Sequence, residues 1–331
     1  MPAPARPPAN PTGAALPAGL HADAPLPVGQ YSDAPLPAGL YADAPLPLRE
    51  RQYSPSSCIG GNYQPFIHAY RQRSAQARID ARQAGGRWSR HALSAAPSHA
   101  LELCLPATAG AGAPAPVMLF VHGGYWQELA AADSLFAATA CVELGIGFAA
   151  LDYTLAPAAS LDTIIGECLE ALNWLSTHAA ALGIARERVA IAGSSAGAHL
   201  CAAMVLGARE ARAAGRAVVM PRGAVLVSGV YWLEPLIGTS IDAALRLDTA
   251  AARRASPGLA ALAGLPEVHV AWGEVETEAF KAQSHAFVRR LHEAGVRCSA
   301  SEVPGRNHFD VVLDLAAPDS VLGRRALELL G

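Results

Sequence analysis

Residues 191–200 read IAGSSAGAHL, two adjacent serines hemmed in by glycines directly after an apolar run. Serine is a poor strand former and glycine weakens strands and helices alike, so packing does not account for the choice. Gly193, Ser195 and Gly197 fit G-x-S-x-G, a strand–turn–helix pattern that holds the serine in a strained conformation. Side chains two positions to either side would collide there, which is the steric reason for the glycines. The chemistry on offer is nucleophilic attack by Ser195, with Ser194 as its neighbour. The helix that follows points its N-terminus at the site and favours developing negative charge. In a chain rich in alanine and glycine the same letters also fit an ordinary turn, so the partners decide.

Residues 119–127 read LFVHGGYWQ. Adjacent glycines let backbone N–H groups approach a ligand closely. The candidate oxyanion donors are N–H groups among Gly123, Gly124 and Tyr125, together with that of Ala196 after the serine. His122 is read as holding this loop by hydrogen bonds rather than as a base. Tyr125 and Trp126 either flank an aromatic substrate or pack beneath the loop.

A serine nucleophile needs a base, and the base needs an orienting acid. VPGRNHFDVV places His308 in a loop bearing Gly and Asn after the last strand pattern, which makes it the expected base. His269 lies inside a strand pattern, and His285 and His292 lie on a helix pattern. The acid is expected after the preceding strand, in VHVAWGEVETEAF, where Glu274, Glu276 and Glu278 compete. A carboxylate needs a residue or two of turn to reach back, which favours Glu276. All three also suit a helix N-terminus, and Glu234, after AVLVSGVYW, is an outside candidate.

These residues need elements to carry them. Near-continuous apolar runs suggest strands buried on both faces: APVMLFVHGG, GIGFAALDY, RVAIAGSS, GAVLVSGVY, EVHVAWGE and VRCSASEVPG. Helix patterns lie between them, among them SLDTIIGECLEALNWLSTHAAALG, with a serine cap and a closing glycine. Strand, helix, strand in this order implies right-handed crossovers. The fold class is α/β, a mostly parallel central sheet with helices on both faces.

The 331 residues are 52% hydrophobic with a formal charge of -3, ample for one large core. Near-neutral charge gives no reason to expect nucleic acid or an anionic membrane as partner. Lys281 is the one lysine, a mark of composition rather than chemistry. Six scattered cysteines without a CxxC pair read as small buried hydrophobes in a reducing compartment. No signal-like segment or run of roughly 18 apolar residues is visible, so a soluble cytoplasmic protein is expected.

Residues 16–45 repeat with a ten-residue period, LPAGLHADAP, LPVGQYSDAP, LPAGLYADAP, then a broken LPLRE. The prolines argue against ladder or helix. Residues 1–48 are therefore read as an extended or disordered arm, with residues 49–331 as one catalytic domain. The arm's functional alternative is docking to a partner or to a second subunit in a homodimer.

With these motifs in hand, the chain resembles the α/β-hydrolase fold. It resembles more narrowly the arylformamidase (kynurenine formamidase) group and its relatives like hormone-sensitive lipase. QYSPSS, HGGYW, DYTLAP, GSSAGAHL, SGVYWLEPL and NHF carry the resemblance, from about Tyr53 to the C-terminus. It implies Ser195 as nucleophile, His308 as base and position 276 as acid, where the family usually has aspartate. Trp232 is a second departure, able to reshape a pocket. The implied activity is acyl transfer to water from an aryl formamide, N-formylkynurenine first, with no metal or cofactor needed. A short-chain carboxylesterase is the alternative, and a non-catalytic ligand-binding protein on a hydrolase fold is the alternative of another class.

Overall fold

The computed structural model describes residues 35–110, 112–216 and 218–331. Two strands outside the sequence reading open the sheet, β1 (Arg87–Ala92) and β2 (Ala100–Leu105). The six apolar runs follow as β3 (Ala115–Val121), β4 (Gly147–Asp152), β5 (Ile184–Ser194), β6 (Gly223–Val227), β7 (Glu267–Val275) and β8 (Cys298–Asn307). Their order is β1-β2-β4-β3-β5-β6-β7-β8. Neighbours among β3 to β8 pair in parallel, while β2 runs antiparallel to both β1 and β4.

The two extra strands hide their nature in charge. β1, RWSRHA, is a half-exposed edge, where arginines discourage further pairing. β2 is buried throughout yet carries Glu102, which is tolerated because Arg78 and Arg90 pair with it at 2.9 and 3.0 Å.

The helices, in chain order, are α1 (Leu46–Gln52), α2 (Gln64–Gln83), α3 (Ala138–Glu143), α4 (Leu161–Leu182), α5 (Ala196–Ala213), α6 (Asp242–Leu245), α7 (Thr249–Arg254), α8 (Glu278–Glu293) and α9 (Val321–Leu330). Successive strand residues point to opposite faces. Val117, Leu119 and Val121 of β3 accordingly join one core with α4, α5 and α8. Met118 and Phe120 join the other with α2, α3 and α9. Each large apolar side chain buried this way contributes about 1.5–3 kcal/mol. α4 begins and ends as its sequence suggests: the Ser160 side chain accepts from the Thr163 N–H, and Gly183 closes it at φ 77°. Four cysteines are buried, but Cys58 is exposed and Cys298 half-buried.

At the N-terminus the structure differs from the arm read over residues 1–48. Leu40 is 1% exposed, and its carbonyl accepts from the Tyr53 hydroxyl at 2.8 Å. α1 starts at Leu46, and Arg49 ties it to the Ile237 and Pro235 carbonyls at 2.6 and 3.2 Å. Pro45 and Pro47 fit because a helix's first turn leaves N–H groups unused anyway. Nearly all of the first two repeat units lie outside the described residues. Among the described residues no helix is long and apolar enough to cross a membrane.

Candidate active site

The parallel strands deliver their loops to one edge, and the serine turn is the tightest of them. Ser195, between β5 and α5, sits at φ 55°, ψ -118°. A non-glycine residue there costs about 1–3 kcal/mol, which the surroundings must offset. They do so by leaving no alternative: a Cβ on Gly193 would strike the Gly197 carbonyl, and one on Gly197 would strike those of Val121 and His122. The Ser195 N–H donates to Val227 at 2.8 Å, pinning the turn to the end of β6.

The glycine loop after β3 lies directly on this turn. A Cβ on Gly123 would approach the Ser194 carbonyl to 2.7 Å and the Ser195 Cβ to 3.2 Å. Gly124 (φ 88°), Tyr125 (φ 49°) and Trp126 (φ 61°) form a run of left-handed residues. Strain of this kind collects where a loop is shaped for a ligand. Three bonds hold it: His122 Nδ1 donates to the Gly123 carbonyl at 3.0 Å, Tyr153 to the His122 carbonyl at 3.0 Å, and Tyr125 to the Tyr53 carbonyl at 2.5 Å. Burial lowers the His122 pKa, which keeps it neutral and suits an anchor. Gly123, Gly124 and Tyr125 line a cavity with Ser194 and Ser195, and Ala196 opens α5 beside it.

His308 and Glu276 meet where β8 and β7 end. His308 Nδ1 donates to Glu276 Oε2 at 2.9 Å, and both residues are 5% exposed. With the carboxylate as acceptor, Nδ1 carries the proton and Nε2 of the neutral ring is left to accept one. Glu276 Oε1 accepts from the Gly273 N–H at 2.7 Å and from Ser228 Oγ at 2.5 Å. The Phe280 ring stands edge-on to the imidazole at 4.5 Å. His308 lines the same cavity as Ser195.

The competing residues lie elsewhere. Glu274 is exposed and accepts from the Gly305 N–H, Glu278 sits in the first turn of α8, and Glu234 pairs with Arg253. His269 is buried in β7, where burial lowers its pKa to about 4. His285 packs on Trp272, and His292 bonds the Cys298 carbonyl.

The cavity holds about 340 Å³, room for one small molecule. Its lining joins polar groups, from His122, the glycines, Ser195 and His308, to the rings of Tyr63, Tyr70, Phe120, Phe136 and Phe309. Of the two rings expected to flank a substrate, Tyr125 lines it and Trp126 does not. Trp126 is 0% exposed and packs edge-on against His199 at 5.0 Å, within the core. Trp232 likewise packs against Phe287 and over Gly258, away from the cavity. Sequence reasoning missed Ser228, although its place after a strand in SGVY, at φ 52°, matches the way Ser195 follows β5. It also missed the aromatic wall, to which α2, an element with no motif of its own, adds Tyr70 and its N-cap Tyr63. Among the described residues no group of three or more His, Cys, Asp or Glu side chains forms a metal site.

Comparison with known proteins places this geometry in context. A family model for the alpha/beta hydrolase fold matches residues 118–311. Kynurenine formamidase of Danio rerio is 28% identical over 239 residues, spanning 70% of this chain and 78% of that protein. Hormone-sensitive lipase of Homo sapiens is 33% identical over 131 residues, 39% of this chain but only 12% of the lipase. The hyperthermophilic esterase of Pyrobaculum calidifontis superposes with a TM-score of 0.61 at 21% identity, spanning 80% of this chain and 93% of the esterase. That last likeness is one of fold.

Proposed function

Since the chain belongs to the alpha/beta hydrolase fold family, we propose that it is a serine hydrolase that removes a formyl or short acyl group from an aryl amide, with N-formylkynurenine as the first substrate to test. The observation that carries this reading is the buried Glu276–His308 pair, whose imidazole lines the same cavity as the strained Ser195 turn. The aromatic wall suits an aryl group, and the similarity to a kynurenine formamidase supports the formyl choice.

In this mechanism His308 Nε2 takes the Ser195 hydroxyl proton as Oγ attacks the formyl carbon. The resulting oxyanion accepts hydrogen bonds from backbone N–H groups of Gly123, Gly124 or Tyr125 and of Ala196. His308 passes its proton to the arylamine nitrogen as the C–N bond breaks. Water, deprotonated by the same imidazole, attacks the formyl-enzyme, and formate leaves as Oγ regains its proton. Glu276 fixes the ring's tautomer and stabilises its charged form, and the Gly273 and Ser228 donors hold that carboxylate in place.

The same machinery serves short esters, a second reading favoured by the 33% identity to hormone-sensitive lipase over 131 residues. Formate release from N-formylkynurenine, measured beside hydrolysis of a short-chain nitrophenyl ester with wild type and Ser195→Ala, separates the two. Serine-dependent formate release with weak ester turnover is expected. Strong ester turnover without formate would make the protein an esterase.

A further inference from the structure

The acyl-transfer steps leave one charged group in the cavity without a task. Among the described residues lining it, Glu128 is the one Asp, Glu, Lys or Arg side chain. It sits on the glycine turn itself, its N–H donating to the Gly124 carbonyl at 3.0 Å. The Glu128 carbonyl lies 2.6 Å from where a Gly124 Cβ would stand, which fixes the Glu128 backbone against the turn, while the residue itself is exposed to solvent. The Tyr63 hydroxyl donates to both carboxylate oxygens, at 3.0 and 3.3 Å. The Tyr63 ring stacks on Phe309 at 5.6 Å, 10° from parallel, and the Phe309 ring lies 5.3 Å from the His308 imidazole. An unbroken aromatic wall thus runs from the candidate base to a carboxylate.

We infer that Glu128 and the Tyr63 ring form an ammonium subsite, so that the preferred substrates are aryl formamides or short acyl arylamides bearing a side chain that ends in a cationic amine. The inference rests on the hydrolase reading and deepens it. A carboxylate bonded by one phenol keeps lone pairs for an ammonium donor, and an adjacent ring face adds cation–π attraction. A negative group on the substrate fares differently. No Arg or Lys among the described lining residues meets it, and the nearby Glu50 is committed to the Ser240 N–H and hydroxyl at 2.5 and 2.8 Å. A substrate carrying the amine alone is therefore favoured over its amino-acid counterpart, because like charges at a rim select against a partner.

The test uses three size-matched 2-formamidophenyl ketones whose side chains end in a methyl group, a primary amine or an α-amino acid. The wild type is expected to show a kcat/KM for the amine about tenfold above that for the methyl compound, with the amino acid between them. That ratio should shrink at ~0.3 M salt, a response that a purely structural role for Glu128 does not give. Glu128→Gln should bring the ratio close to one, whereas Tyr63→Phe, which keeps ring and carboxylate, should retain most of it. A wild-type ratio near one, or an unchanged ratio in Glu128→Gln, overturns the subsite. Should none of the three be hydrolysed, the hydrolase reading fails separately. Calorimetric binding of the same compounds to Ser195→Ala then decides the subsite, tighter binding of the amine supporting it and equal binding overturning it.

Discussion

In the proposed mechanism Ser195, Glu276 and His308 do different work, and their substitutions should fail differently. Glu276→Gln replaces a pure acceptor with a group that can present N–H to His308, favouring the wrong tautomer. A kcat lower by about ten-thousandfold with little change in KM is expected from steady-state kinetics. Ser228→Ala removes one of two donors to Glu276 Oε1, so a milder loss of about tenfold in kcat is expected from the same kinetics. All three central residues were legible because each falls just past a strand, where turn chemistry and residue type narrow the choice. Ser228 was not, since a serine after a strand acquires meaning only once the acid's position in space is known. Trp126 shows the converse: next to a loop in sequence, its ring faces away in space.

Among the elements, the β5–α5 turn has the least freedom. Gly197→Ala forces a methyl group against the Val121 and His122 carbonyls, and neither β3 nor the glycine loop can yield without moving the other. A loss of at least ~3 kcal/mol in chemical denaturation is expected, the scale of severe steric misfit. A variant as stable as wild type would show that the turn is not closed as described. The strands feeding the site were readable from their apolar runs because burial on both faces leaves no polar interruption. β1 and β2 were not, since an edge strand carries arginines and its neighbour carries a glutamate whose partners come from α2 and β1. The helices capped by local signals, such as α4, were readable for the opposite reason: Ser160 and Gly183 act within one turn of chain.

At the scale of the whole molecule, the docked N-terminal segment and the buried histidines each contribute to stability in a way that can be read separately. Leu40→Ala should cost about 2–4 kcal/mol, a penalty that a free arm would not show. The repeat pattern concealed this docking because one unit's leucine finds its pocket only in the assembled domain. Burial lowers the pKa of His199 and of His269 to about 4, below the ordinary value of 6.5. The unfolded chain then binds protons that the folded one refuses, so stability is fully present above pH ~6.5 and is lost as pH falls toward ~4. For His199 the loss approaches ~3 kcal/mol, and His199→Gln should flatten that part of the profile in denaturation midpoints. The sheet's larger task is to bring the loops after β3, β5 and β8 to one cavity, with the loop after β7 setting Glu276 against His308, and the chemistry there is the claim most in need of a direct test. Treatment with an alkyl fluorophosphonate followed by peptide mass spectrometry addresses it. One adduct per chain on Ser195, formed at least a hundredfold more slowly in His308→Ala, is the predicted result, on the order of the rate a base contributes. Labelling of Ser194 or of no serine in this turn, or labelling indifferent to His308, would contradict it.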